Sequence, residues 1–140
     1  MMKKISVFIG LFVFILFMGA CVDASGVQPR NPNGDSELAL FMREMHDESV
    51  RLKDNLSKGK KLKPKLDYSK LLTAEATEPE KAASESYKAF ALSYISIMDQ
   101  MKKKSGIHSE ENFKAMVASC ENCHNSFCPG PLVLIDKLKL

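Results

Sequence analysis

Apolar residues recur at helical spacing along most of this chain. After Asp35, the positions Leu38, Phe41, Met42, Met45, Leu52 and Leu56 step mainly by threes, fours and sevens, while Arg43, Glu44, Asp47, Glu48, Arg51 and Lys53 take the other faces. This predicts a first helix capped by Asp35 or Ser36 and ended at a lysine-rich stop bracketed by Gly59 and Pro64. A short helical segment is expected over 68–76, with Asp67 as its cap. Glu78-Pro79-Glu80 reads as the start of a further helix, with proline in the first turn and acids at the positive end of the dipole. Its stripe is Ala83, Tyr87, Phe90, Tyr94, Met98 and Met101, and Lys102-Lys103-Lys104 neutralises its far end before Gly106. A last helix begins near Ser109, carries Phe113, Met116, Val117 and Cys120 on one face, and stops at Pro129-Gly130-Pro131. No segment alternates with period two. The expected fold is all-α: an antiparallel four-helix bundle of three long helices and one short, over 36–140.

The N-terminus has a different character. Lys3 and Lys4 precede an almost unbroken apolar run over 5–18, the make-up of an export signal over 1–20. Met18-Gly19-Ala20-Cys21 sets small residues directly before a cysteine, as bacterial lipoprotein signals do. Lipidation of Cys21 would anchor the chain to a membrane of the cell envelope, on the periplasmic side. Ordinary cleavage after Ala24, within Val22-Asp23-Ala24, is the competing reading. Residues 21–35 are polar and rich in turn formers, as a flexible tether would be. The formal charge of +3 includes the two leader lysines. Without them the balance is close to neutral, and it gives no argument for nucleic-acid binding.

Export places thiols in an oxidising compartment, where they tend to be paired or otherwise occupied. Of four cysteines, three fall within 120–128. Cys120-Glu121-Asn122-Cys123-His124 has the spacing of covalent c-type haem attachment. On a helix, residues three apart share a face, so both sulfurs can bond the two vinyl groups along one porphyrin edge. The histidine that follows is then held near the iron as its proximal ligand. A structural zinc site built from Cys120, Cys123, His124 and Cys128 is an alternative. A Cys-x-x-Cys redox pair normally follows a strand, and none is expected here; a plain disulfide between helical positions three apart is geometrically poor.

With this motif on the last helix, the chain resembles the class II c-type cytochromes, the cytochrome c′ group and its low-spin relatives. The likeness covers roughly 36–128, and its one specific motif is 120–124. The resemblance implies one covalent haem c and a distal face covered by the first helix, where Met42 or Met45 would be the sixth iron ligand. Those two methionines equally suit a core, and His46 is a further candidate. In this family an arginine often stands four residues before the distal position; Arg43 is followed at that distance by Asp47. Arg43 would pair with a haem propionate or remain solvated. Met98, Met101 and Met116 read as core, and Tyr87, Phe90, Tyr94 and Phe127 as core or haem-pocket aromatics. His108 falls in a loop, and Cys128 departs from the family pattern.

The function expected is single-electron transfer with redox partner proteins of the cell envelope. An open distal face would instead bind small gases such as nitric oxide and carbon monoxide. A zinc-stapled lipoprotein binding module is the third reading. No paired carboxylates, nucleophile motif or phosphate loop marks an enzyme. Lys58, Lys60, Lys61, Lys63 and Lys65 form a positive run that would steer an acidic partner or simply be a solvated linker. Members of the family often pair, so a homodimer is also implied.

Overall fold

The first long helix, α1 (Glu37–Ser57), starts where Ser36 accepts a hydrogen bond from the Ala39 amide at 3.2 Å. It ends at Gly59, whose φ of +63° is the left-handed conformation that glycine adopts without strain. The chain comes from a computed structural model that describes residues 35–103 and 109–140. The export signal, Cys21, the tether up to residue 34, and Lys104, Gly106 and His108 all lie outside the described residues.

α1 buries Phe41, Met45 and Leu52, as its stripe requires, but also Glu48 and Ser49. Glu48 was expected among the polar faces and instead lies inside. Its carboxylate accepts from the Tyr68 hydroxyl, from the Lys65 amide at 2.7 Å and from Arg51 at 3.0 Å. A buried charge with its lone pairs satisfied in this way is tolerated, whereas an unpaired one would not be. Ser49 satisfies its hydroxyl by donating to the Met45 carbonyl at 2.8 Å.

After Gly59 the chain runs back along α1. Leu62 and Pro64 turn inward, and Lys61, Lys63 and Lys65 turn out. A 3-10 turn, Tyr68–Leu72, follows, capped by Asp67. It stops short of the expected 76 because the next residues bond to the start of α1: Leu38 donates to the Glu75 carbonyl at 2.9 Å, and Thr77 to the Ser36 hydroxyl at 3.0 Å.

The helix expected from Pro79 onward is two helices, α2 (Pro79–Ala82) and α3 (Glu85–Lys103). Ser84 makes the break. Its hydroxyl accepts from the Tyr87 amide at 3.3 Å, which opens α3, and Ala83 is exposed rather than on the buried stripe. α3 buries Tyr87, Ala91, Tyr94, Met98 and Met101. α4 (Ser109–Phe127) buries Phe113, Met116, Val117 and His124. A last short helix, α5 (Leu132–Asp136), was not foreseen. Pro131 starts it, and Ile135 and Leu138 carry it into the core against α4, while Lys53 of α1 donates to the Lys137 and Lys139 carbonyls.

All regular structure among the described residues is helical, with α3 and α4 forming the most extensive pairing. No described helix is long and apolar enough to cross a membrane. Leu52, Met98, Met101, Phe113 and Met116 are fully buried in one core cluster that also takes in Met45, Tyr87 and Tyr94.

All three tyrosines of the sequence are buried. Burial pushes the Tyr87 phenol up to about 12, raises Tyr94, and raises Tyr68 with further help from Glu48. Folding therefore retains protons that the unfolded chain gives up near pH 10, so stability falls as pH rises through that value. Phenolate absorbance should stay absent at pH 10 and then rise together with loss of helix; a separate step near pH 10 would contradict the burial. Glu48→Ala should cost about 3 kcal/mol in denaturant unfolding, by leaving Arg51, Tyr68 and the Lys65 amide without their acceptor.

Candidate functional site

Burial of Phe113, Met116 and Val117 fixes the rotation of α4, and Cys120 and His124 continue that stripe one and two turns on. Cys123 stands beside them. All three line one cleft, walled by Met42 and Met45 of α1, Leu71 of the 3-10 turn, and Tyr87, Phe90, Ala91 and Tyr94 of α3. The cleft is tight, with a cavity volume of about 30 Å³, room for only two or three water molecules. A second cleft of about 180 Å³ adjoins it, and Met42, Tyr87, Cys123 and His124 line both.

His124 is 8 % exposed, and its ring orientation is set from behind. Its Nδ1 lies 3.0 Å from the Cys128 carbonyl oxygen and 3.2 Å from the Cys128 sulfur. A carbonyl can only accept, so the hydrogen bond to it requires hydrogen on Nδ1, and an uncharged ring then has its lone pair on Nε2. This is the arrangement metal-ligating histidines use: one nitrogen donates to a backbone carbonyl and the other faces the metal. The local sequence explains it. Pro129 excludes the helical conformation at Cys128, so the Cys128 amide still closes the last turn on the His124 carbonyl at 3.1 Å while its own carbonyl leaves the helix direction.

The two thiols of the motif are protonated at neutral pH. Burial pushes Cys120 up to about 12 and Cys123 up to about 11. Addition across a vinyl group needs the thiol sulfur and its hydrogen, which this apolar cleft preserves. The donor set thus fits a covalently held porphyrin: two sulfurs and an imidazole from one helix, thioethers from the helix opposite, and aromatic and aliphatic walls between.

Both proposed distal methionines reach the site, Met45 buried and Met42 half-buried at the boundary of the two clefts. His46 lines neither cleft and lies 3.5 Å from Asp47. Arg43 forms a two-pronged pair with Asp35, at 2.5 and 2.7 Å. Met98, Met101 and Met116 are core, as expected. Tyr87, Phe90 and Tyr94 wall the first cleft and Phe127 the second, with Phe127 edge-on to both Tyr87 and Phe90. Cys120 lines only the first cleft and Cys128 only the second, so the four residues of the zinc reading are spread over both. Sequence reasoning missed the Cys128 carbonyl, although the Cys-Pro pair was its signal, and missed Leu71. Compared with protein-family models, curated proteins and solved structures, the chain matches none.

In the haem-free chain, nitrogen NMR of the uncharged His124 ring should find its hydrogen on Nδ1. Hydrogen on Nε2 would show that the Cys128 carbonyl does not hold the ring.

Proposed function

We propose that this chain is a mono-haem c-type cytochrome acting as a single-electron carrier of the cell envelope, tethered through a lipid on Cys21. The observation that carries the reading is the register of α4, which sets Cys120, Cys123 and His124 along one cleft with Met42 and Met45 of α1. In this reading α1, α3 and α4, with the 68–72 turn as the short member, form an antiparallel four-helix bundle around the haem.

Cys120 and Cys123 would each form a thioether, fixing the porphyrin edge along α4. His124 would bind iron through Nε2, with its basicity raised by the hydrogen bond from Nδ1 to the Cys128 carbonyl. Met42 is the preferred sixth ligand, because it lines both clefts with Cys123 and His124; Met45 is the second choice. The bound haem supplies a one-electron iron couple whose potential follows axial ligation, burial and nearby charge. Tyr87, Phe90 and Tyr94 would keep water from that face.

Production alongside a c-type haem maturation system, followed by visible spectroscopy, tests this. Reduction should give a sharp low-spin α band, and Met42→Ala should convert it to a high-spin spectrum. If Met45→Ala does so instead, the ligand is reassigned. A broad high-spin spectrum with rapid carbon monoxide binding in the unaltered chain would replace electron transfer with gas binding. A colourless chain that holds zinc would sink both.

A further inference from the structure

The segment that follows α1 carries five lysines in eight positions, and the structure gives them a shared direction. Leu62 and Pro64 are buried, so the lysines between and beside them, at 61, 63 and 65, all face outward. The backbone beneath is pinned at several points. Arg51 donates to the Lys63 carbonyl at 3.0 Å, the Lys65 amide donates to Glu48 at 2.7 Å, and Lys102 donates to the Leu66 carbonyl at 3.0 Å. A floppy linker would make none of these bonds. Lys58 pairs with Asp54, but among the described residues Lys60, Lys61, Lys63 and Lys65 have no acidic partner. The nearest exposed acid, Asp67, is engaged by the Ser69 amide and hydroxyl. The result is a fixed row of positive charge on a chain that is close to neutral without its leader.

What lies under that row decides its use. Glu48, which holds Lys65, also holds the Tyr68 hydroxyl. The Tyr68 ring is edge-on to Tyr94 at 5.6 Å, and Tyr94 walls the cleft beside Cys120. The Lys102 ammonium sits 4.9 Å above the Tyr68 ring on the outer side. An aromatic pair thus joins the basic surface to the site.

We propose that the 58–65 segment is the docking surface for an acidic one-electron carrier protein, with Tyr68 and Tyr94 as the contact between that surface and the haem cleft. This rests on the electron-carrier reading above. One electron passes between the partner's cofactor and the haem, one being oxidised as the other is reduced, with no bond made and no proton required. An anionic membrane would be served equally by lysines anywhere on the chain. Only a partner that exchanges electrons gains from lysines on a segment tied through Glu48 to the tyrosine pair.

The test uses the haem-bearing mature chain, with K61E/K63E/K65E and the milder K61Q/K63Q/K65Q. Readouts are the affinity for poly-L-glutamate, the oxidation rates of the reduced chain by hexacyanoferrate(III), an anion, and by tris(phenanthroline)cobalt(III), a cation, and co-sedimentation with phosphatidylglycerol vesicles. At low ionic strength the glutamate variant should lose poly-L-glutamate binding and react about tenfold more slowly with the anion. It should also react faster with the cation, and the differences should vanish at about 0.5 M salt. The glutamine variant should fall between. Rates that do not move in variants with unchanged helix content overturn the inference. So does loss of vesicle binding alone, which would assign the segment to the membrane. If neither variant folds, the unaltered chain still decides: an anion rate independent of salt overturns the proposal. A colourless chain overturns the electron-carrier reading and this inference together; a coloured chain with unmoved rates overturns this one alone.

Discussion

Phe113 and His124 are eleven residues apart, and at 100° per residue the helix returns to within about 20° of the same direction. Val117 and His124, seven apart, are related by nearly the same small angle. Once Phe113, Met116 and Val117 are drawn into the core, the rotation of α4 is no longer free. The motif must then face α1 and α3 rather than solvent. Two properties of the site follow from this constraint: the thiols are desolvated, and the imidazole is buried with Nδ1 held at the Cys128 carbonyl of its own chain. An α4 rotated by a quarter turn would retain the same motif with none of this chemistry.

The helix ends supply the second layer of control. Pro129 stops α4 just past His124, and the freed carbonyl of Cys128 becomes the acceptor that orients the ring. Pro131 then starts α5, which returns along α4 and packs Ile135 and Leu138 against it. The same few residues that terminate the helix thus orient His124 and close the core beneath it. Packing and site are continuous: Leu52, Met98, Met101, Phe113 and Met116 belong to the same core cluster as Met45, Tyr87, Ala91 and Tyr94 of the cleft wall.

How far the sequence is legible follows from which interactions are local. The capping of α1 by Ser36, its stop at Gly59, the Asp67 cap and the core stripe of α4 depend on residues within one or two turns, and each was readable. The attachment motif is local as well. The burial of Glu48 is not, because it depends on Tyr68 and Lys65 arriving from seventeen to twenty residues away; from α1 alone, a glutamate among charged neighbours reads as solvated. The break at Ser84 was missed because Pro79 suggests a helix start strongly enough to hide a second one. α5 escaped notice because five residues between a Pro-Gly-Pro stop and a basic end show too little periodicity. Within the site, the candidate methionines follow from their stripe, whereas the position of Met42 on the walls of both clefts does not.

The lysine segment shows how a charge run can acquire meaning from what it covers. As sequence, Lys58 to Lys65 is indistinguishable from a solvated linker. Leu62 and Pro64 change that, because burying alternate residues of an extended segment sends the others out together. Exposed lysines on a flexible loop average their field over many positions; held by Arg51, Glu48 and Lys102, these keep it in one place. The carboxylate that makes this possible is the same Glu48 that anchors Tyr68 against Tyr94. One buried acid on α1 therefore links the surface charge to the wall of the cleft, and its cost in desolvation is offset at both ends of that link.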